Sequence, residues 1–301
     1  MNLFNYAGHN KTKNYFEGWY LKVVNDNHVL ACIFGISLYE SDPHSFIQIM
    51  DSDDSKSRYF RFNVEDFYYN KDVVRIKDNI LSVHKLKLSI DDFEIDLKIT
   101  PTTNLNEIFC MKSVMGPFKY LPLPAYHEVI FMNSKIEGSI KTSNIDTTIN
   151  GSGYMEKNYG ICFPKKWLWF ETNTFKNYNA SLVFAKANVM CFEPFFCILN
   201  IGGEEFRFAS YNGFNAKYLN NNNTVDVVIK KNDISLKITI DHTPGQLIVA
   251  PTKGGNMRRE IEESLTSTLT IALYKNRELI FQDEATNVSC ENLYDDTKLT
   301  E

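Results

Sequence analysis

A carboxyl group set among aromatic residues is the first feature of this sequence that could do chemistry. Glu156 lies between Tyr154 and Tyr159 and shortly before an aromatic run at residues 167–170. A carboxyl group buried among such side chains can be desolvated enough to stay protonated near neutral pH, and it could then act as a general acid. The alternative is structural, with Glu156 in an ion pair with Lys157 or with an arginine.

Two further ionisable residues stand in similar surroundings. His127 is followed by Glu128, and an imidazolium beside a carboxylate can donate a proton in the physiological pH range. Glu17 precedes Gly18 in an aromatic segment and is a third candidate acid, unless its carboxylate only accepts backbone N–H groups at a bend. We therefore take Glu156, His127 and Glu17 as the candidate catalytic residues, in that order.

Aromatic side chains near these residues could line an apolar pocket and stabilise a cationic intermediate through their ring faces. Polar neighbours could bind the oxygen atoms of a ligand. Aromatic stripes in strands also form ordinary cores, and lysines beside strands often lie in solvent. The candidate substrate-binding residues are Trp19, Tyr20, Tyr154, Lys157, Asn158, Tyr159, Trp167, Trp169 and Asn173.

Composition and residue spacing argue against several other classes of function. The net charge is −5 without a long run of like charges, so a nucleic-acid-binding surface has no support. The histidines and cysteines are scattered without the spacing of a metal site, and no G-x-S-x-G motif indicates a hydrolase. No secretory signal is found, and no apolar stretch reaches about 18 residues. We expect no metal site, reduced cysteines and a cytoplasmic protein without a transmembrane segment.

Strict alternation of apolar and polar residues is the main secondary-structure signal. Residues 86–90 and 93–99 alternate on either side of a polar pair at residues 91–92, and residues 234–240 and 268–274 repeat the pattern. Period two predicts strands with one buried face. Many short strands separated by Asn, Asp and Gly turns predict an all-β barrel or sandwich.

Helical signals are few. Residues 64–70 could form a short turn, and residues 258–269 carry Ile261, Leu265 and Leu269 at intervals of four. Thr and Ser at the end of the second segment weaken a helical interpretation.

A proline-containing break at residues 112–124 interrupts the alternation and predicts either an interdomain linker or a loop over a barrel mouth. We place an N-terminal domain at residues 1–124 and a C-terminal domain at residues 125–301. The aromatic strand segments at residues 16–20 and 167–171 could each open a barrel, which is weak evidence for an internal repeat.

Four short motifs extend over most of the chain. The first is YFEGWYLK at residues 15–22, and the second is a P-x-x-x-Y-H stretch at residues 122–127. The third is GSGYMEKNYG at residues 151–160, which continues into FPKKWLW at residues 163–169, and the fourth is APT at residues 250–252. Together these motifs resemble those of the tocopherol cyclase family, whose central signature is G-x-G-Y-x-E-K-N-W-G followed by F-P-x-x-W-x-W.

The resemblance implies an all-β fold of two lipocalin-like (calycin) antiparallel β-barrels packed together, with few short helices and with the GxGYxEKNxG motif in the C-terminal domain. It also implies a redox-neutral ring closure that needs no cofactor. In that reaction a prenyl double bond is protonated, and the phenol oxygen of a quinol captures the tertiary carbocation to give a chromanol. Such chemistry requires an acid, an aromatic lining and the exclusion of water.

The resemblance leaves the substrate and the role of the chain open. Tyr159 stands where plant enzymes of the family carry Trp, so the ligand could differ. We expect the partner to be a hydrophobic, prenylated small molecule, and the sequence is compatible with peripheral contact to a membrane. A non-catalytic lipocalin-type carrier and a hydratase or cyclase of another isoprenoid pathway remain alternatives, and the oligomeric state is not predicted.

Overall fold

The structure is a computed structural model that describes residues 3–107, 112–189, 192–221 and 223–294. Strands make up 66% of the chain and helix 5%, and the strands form two large, curled, nearly closed antiparallel sheets. The helical segments described are 3₁₀ turns of three to five residues. The predicted all-β, barrel-type fold with few short helices is therefore confirmed.

Twenty-one strands are described, and they are numbered in chain order. They are β1 Phe16–Asn25, β2 His28–Ser37, β3 His44–Asp51, β4 Arg58–Phe62, β5 Phe67–Asn70, β6 Val73–Ile76, β7 Asn79–Ser82, β8 Lys85–Ile90, β9 Phe93–Thr103, β10 Ala125–Lys141, β11 Asp146–Gly160, β12 Trp167–Thr172, β13 Ala180–Ala187, β14 Phe195–Ile201, β15 Glu204–Ala209, β16 Asn215–Asn221, β17 Thr224–Lys231, β18 Ile234–Asp241, β19 Gln246–Pro251, β20 Met257–Lys275 and β21 Glu278–Asn292. The 3₁₀ turns are Val64–Asp66, Gly116–Tyr120, Ser210–Asn212 and Lys253–Gly255.

The chain divides into two compact units. The first comprises Met1–Phe163 and Leu247–Glu260, and the second comprises Pro164–Gln246 and Ile261–Glu301. This division differs from the predicted domain boundary after residue 124. Because β10 pairs with β9 and β11 pairs with β1, both of these long strands lie in the first unit. The central motif on β11 consequently belongs to the first unit.

The sheet of the first unit has eleven strands in the order β4-β3-β2-β1-β11-β10-β9-β8-β7-β6-β5. Along its strands, buried apolar residues alternate with exposed polar ones. Leu86 and Leu88 on β8 and Leu97 on β9 lie in one hydrophobic core, while Lys85 and Lys87 are exposed. The hairpin predicted around residues 91–92 is thus present, with one buried face.

The second sheet has the order β15-β14-β13-β12-β21-β20-β18-β17-β16. β19 pairs with β20 outside this order, and all of β19 except Gln246 belongs to the first unit. Each sheet contains one of the two aromatic strands that were predicted to open a barrel. β1 lies between β2 and β11 in the first sheet, and β12 lies between β13 and β21 in the second. The two aromatic segments therefore hold equivalent positions in the two strand orders.

The helical interpretation of residues 258–269 is wrong, because these residues lie within β20. Ile261, Leu265 and Leu269 are all buried. A spacing of four is even and so is compatible with period two as well as with a helix, and the Thr and Ser residues between them favour the strand. At residues 64–70 a 3₁₀ turn leads directly into β5.

Within the described residues, none of the helices has the length and apolar character needed to cross a membrane. Cys32, Cys162, Cys197 and Cys290 are free thiols, and Cys110 and Cys191 lie outside the described residues.

Candidate functional site

The central motif lies on β11, and the alternation of this strand divides its side chains between two faces. Met155 belongs to the hydrophobic core of the first unit, so Lys157 and Tyr159 lie on the same inner face. Tyr154, Glu156 and Asn158 lie on the opposite face, which we call the outer face. Glu156 and Lys157 therefore do not pair with each other, although they are neighbours in sequence.

Two glycines of the motif allow close approach of other backbone segments. A Cβ atom on Gly151 would lie 2.0 Å from the carbonyl oxygen of Val24 on β1. Gly160 has a φ of +151°, and a Cβ atom there would lie 2.3 Å from the carbonyl oxygen of Pro124. These contacts hold β11 between β1 and the start of β10, which fixes the register of the site.

The register brings together candidates from three distant parts of the sequence. On β1, Tyr20 stands opposite Glu156, and on β10, His127 stands opposite Asn158. Directly opposed residues of an antiparallel pair point to the same face of a sheet. Tyr20, His127, Tyr154, Glu156 and Asn158 consequently share the outer face.

Glu156 is the centre of this outer group. Its side chain is buried, and its Oε2 atom accepts a hydrogen bond of 2.6 Å from the Tyr154 hydroxyl. Oε1 accepts a hydrogen bond of 2.8 Å from Nδ2 of Asn158. Nε2 of His127 lies 2.9 Å from Oε2 of Glu156. Both carboxylate oxygens are thus engaged by groups that favour the ionised form.

The environment does not keep Glu156 protonated, contrary to the expectation from its aromatic neighbours. Burial, the largest effect, raises the pKa of Glu156, but the charge and hydrogen bond of His127 together with the hydrogen bonds from Tyr154 and Asn158 outweigh it, and the pKa is lowered. The lowered pKa makes Glu156 a carboxylate at neutral pH, which suits it to accept hydrogen bonds rather than to donate a proton.

A second buried polar group lies on the inner face of the same strands. Nζ of Lys157 lies 2.9 Å from Oε1 of Glu17, and both side chains are almost fully buried, at 3% and 0% exposure. The carboxylate of Glu17 also accepts hydrogen bonds from the Tyr15 hydroxyl and from the backbone N–H of Ala7. The backbone N–H that Glu17 accepts comes from Ala7, ten residues away in the sequence.

Burial dominates the electrostatics of this inner pair. It raises the pKa of Glu17 and lowers the pKa of Lys157, against the opposing influence of the partner charge in each case. Nζ of Lys157 also lies 5.7 Å from the centre of the Trp19 ring and 4.9 Å from that of Tyr159. The rings of Trp19 and Tyr159 thus contact the ammonium group of Lys157 through cation–π interactions.

The neighbour of His127 in sequence is not its partner in space. Glu128 lies on the inner face, opposite Lys157 across the strand pair, and it forms an ion pair with Lys119. The carboxylate beside His127 is instead that of Glu156. Tyr15 and Lys119 were not candidates from the sequence. Tyr15 stands two residues before Glu17, so the spacing could have indicated their contact, whereas Lys119 reaches Glu128 from a 3₁₀ turn that no pattern predicts.

The remaining candidates, Trp167, Trp169 and Asn173, belong to the second unit. Trp167 and Trp169 are buried on the face of β12 opposite Leu168 and Phe170, which lie in the core of that unit. Nε1 of Trp167 donates a hydrogen bond to the carboxylate of Glu291. Asn173 follows β12 and is buried as well. Their predicted contact with substrate stays a prediction.

One group among the described residues has the spacing of metal ligands, namely His28, Asp51 and Asp53, with ligand atoms within 4.8 Å of one another. Nε2 of His28 lies 2.8 Å from Oδ1 of Asp51, which also accepts the backbone N–H of Asp53 at 2.9 Å. An ion pair and a turn account for this arrangement, and none of the three residues was a candidate ligand in the sequence.

Comparison with known proteins gives the family. The profile described as Tocopherol cyclase-like matches residues 83–292. The fold is similar to that of a protein assigned as AttH from Nitrosomonas europaea, with a TM-score of 0.61 and 13% identity over 95% of this chain and 94% of that one. It is also similar to kievitone hydratase from Nectria haematococca, with a TM-score of 0.55 and 10% identity over 94% and 90%. No curated protein sequence matches significantly. The match to more than half of the chain shows that it belongs to the tocopherol cyclase-like family.

Proposed function

We propose that this protein catalyses a redox-neutral cyclisation of a prenylated hydroquinone or similar polyene, started by a proton from His127. The observation that carries the proposal is the distance of 2.9 Å between Nε2 of His127 and Oε2 of the buried Glu156. Membership of the tocopherol cyclase-like family supports this class of reaction. The roles of individual residues follow from the contacts of the two side chains.

His127 is the proton donor in this proposal, and Glu156 is its positioning residue. The carboxylate of Glu156, whose pKa is lowered, lies 2.9 Å from Nε2 of His127 and can orient the imidazole ring. Tyr154 and Asn158 fix the carboxylate, because each donates a hydrogen bond to a different oxygen. In this arrangement Glu156, the acid expected from the sequence, positions His127 instead, and Glu17 lies outside the catalytic group.

The reaction is balanced without a cofactor. The imidazolium proton adds to one carbon of the prenyl double bond, and the positive charge develops on the other, tertiary carbon. The phenol oxygen then forms a bond to that carbon and gives up its proton, which restores the imidazolium. The product is an isomer of the substrate, and aromatic rings with their negative faces toward the charge would stabilise the cation. We assign such a role to Tyr20, which shares the outer face with His127.

Capture of the same cation by water is the second candidate, favoured by the structural likeness to a protein named kievitone hydratase. A hydrophobic substrate and an initial protonation are common to both reactions. They differ in mass, because hydration adds one water to the substrate whereas cyclisation adds nothing.

The test is incubation of the purified protein with a phytylated methylhydroquinone kept reduced, followed by chromatography and mass spectrometry. Cyclisation predicts a product of equal mass with the retention time of a chromanol. Removal of the general acid in His127→Asn should lower turnover about 10²- to 10⁴-fold. His84→Asn is the matched control, because His84 is exposed and lies outside the site. Binding of the quinol with no conversion by the unaltered protein would contradict the proposal and favour a carrier.

A further inference from the structure

An exposed apolar surface lies beside the start of β10 in the first unit. It consists of Tyr120, Leu121 and Ile161, which are 75%, 42% and 50% exposed, and we call it the apolar tip. Two segments supply it, the proline-containing break at residues 112–124 and the residue that follows the GSGYMEKNYG motif. The proposed cyclisation uses none of these side chains. Grouped apolar exposure of this kind marks interaction surfaces more often than single exposed residues do.

Hydrogen bonds tie the two segments of the apolar tip together. The backbone N–H of Ile161 donates to the carbonyl oxygen of Pro124 at 2.8 Å. The Tyr126 hydroxyl donates to the carbonyl oxygen of Leu121 at 2.7 Å, and the Tyr126 ring stacks on that of Tyr159 with 5.1 Å between the ring centres. The fold therefore holds Leu121 and Ile161 at its surface by specific contacts on either side of them.

The charges of these segments are of one sign. Residues 112–127 contain Lys112 and Lys119 but neither Asp nor Glu, in a chain whose net charge is −5. Lys112 is exposed, whereas Lys119 is half-buried and pairs with Glu128. Residues 157–163 contain no acidic residue either. Neither segment thus contributes to the apolar tip a carboxylate that an anionic surface would repel.

We propose that the apolar tip docks on the surface of a lipid bilayer that contains anionic lipids. Leu121 and Ile161 leave water for the boundary of the acyl chains, and the amphipathic ring of Tyr120 lies at the level of the head groups. The ammonium group of Lys112 is attracted by the anionic head groups. A second copy of the chain fits less well, because stable protein interfaces need about 20–30 residues on each side.

The apolar tip is close in the fold to the candidate acid. The backbone N–H of His127 donates to Sδ of Met115 at 3.2 Å, and Lys119 pairs with Glu128, so the segment that carries the tip packs against the first residues of β10. A docked bilayer would offer a lipid-dissolved substrate at this end of β10. That consequence rests on the proposed function, whereas the docking itself does not.

Sedimentation with vesicles of phosphatidylcholine and phosphatidylglycerol tests the docking without any substrate. The full chain should sediment with the vesicles, and Leu121→Gln/Ile161→Gln should partition at least about tenfold less, because two apolar side chains no longer leave water. The matched control is Leu279→Gln/Ile280→Gln, since these residues of β21 are 51% and 50% exposed. This control should partition like the unaltered chain.

A second measurement locates the contact. The native tryptophans are buried, so the tryptophan of Tyr120→Trp reports on the apolar tip and that of Leu279→Trp on the control surface. Lipids with brominated acyl chains should quench the added emission of Tyr120→Trp but not that of Leu279→Trp. Absence of vesicle binding by the full chain, equal partition of the two double variants, or equal quenching at the two positions would overturn the proposal. A dimer that Leu121→Gln/Ile161→Gln converts to a monomer, in a chain that does not sediment with vesicles, would assign the surface to a second copy instead.

Discussion

Replacement of Lys157 by Met tests how strongly the inner ion pair supports the first unit. Met keeps much of the side-chain volume against Trp19 but removes the ammonium group that lies 2.9 Å from Oε1 of Glu17. The carboxylate then stays buried without its counter-charge. Removal of one partner from a buried pair typically costs about 3–5 kcal/mol, mainly because the remaining charge is desolvated and uncompensated.

We expect a loss of about 3 kcal/mol at pH 7.5, at the lower end of that range. The reason is that the Tyr15 hydroxyl and the Ala7 N–H still donate to Glu17. A loss of this size reduces the folding equilibrium constant by more than about 100-fold.

The loss should depend on pH in a defined direction. Burial already raises the pKa of Glu17, and without Lys157 it rises further. Folded Lys157→Met then binds a proton that the unfolded chain lacks above the ordinary Glu pKa of about 4.3. The variant is therefore destabilised progressively as the pH rises from about 4.5 toward the raised pKa, and the difference from the unaltered chain is smallest near pH 4.5.

Urea denaturation at pH 5 and pH 7.5 measures the effect. In a Trp167→Phe/Trp169→Phe background Trp19 is the remaining tryptophan, so fluorescence reports on the first unit. Lys13→Met is the control, since it removes an exposed lysine that pairs with Glu40 and should leave the midpoint unchanged. Adding Glu17→Gln to Lys157→Met should recover part of the loss. A cost below about 1 kcal/mol, or the same cost at both pH values, would refute this reasoning.

Three further perturbations follow from the same contacts. Phe4→Ala should lower the free energy of unfolding of the first unit by about 3–5 kcal/mol, measured in the same fluorescence assay, because it removes a fully buried ring; a cost below about 1 kcal/mol would mean that this ring is not packed in the core. Gly160→Ala should cost about 2 kcal/mol in urea denaturation, because the new Cβ atom meets the Pro124 carbonyl and the φ is positive; a neutral effect would contradict that approach. The lowered pKa of Glu156 stabilises the fold above the ordinary Glu pKa, and this contribution is lost as the pH falls through the lowered value. Between pH 6 and pH 3, the thermal stability of Glu156→Gln should accordingly decline less than that of the unaltered chain. Identical declines would exclude an ion pair between Glu156 and His127.

Much of the fold could be predicted from local pattern. Residues 86–99 alternate strictly, and they form β8 and β9 with one buried face. The pattern is sufficient there because period two with a polar turn has one structural solution. It is not sufficient at Ile261, Leu265 and Leu269, where a spacing of four fits both a helix and a strand.

The composition of the site depended on pairing that no local pattern contains. Glu156 meets His127 only because β11 pairs with β10 in the register that places His127 opposite Asn158. The same alternation separates Glu156 from Lys157 and His127 from Glu128, so neighbours in sequence were misleading guides to partners. The direction of the Glu156 pKa could not be foreseen either, because it is set by three hydrogen-bonding partners that outweigh burial.

The location of the segment before β1 was equally hidden. Phe4 and Ala7 carry no periodic signal, yet their backbone groups are held by Trp19 and Glu17. Side chains that were candidates for substrate binding and for catalysis thus bind, in this structure, the chain itself.

Turnover in deuterium oxide tests the central claim most directly. The protein is incubated with a reduced phytylated methylhydroquinone in ²H₂O, and the product of the unaltered chain is compared with that of His127→Asn and His84→Asn. The account predicts a chromanol that carries one solvent deuterium on a carbon of the former double bond, formed by the unaltered chain and His84→Asn but not by His127→Asn. A product without deuterium, or undiminished turnover by His127→Asn, would contradict it.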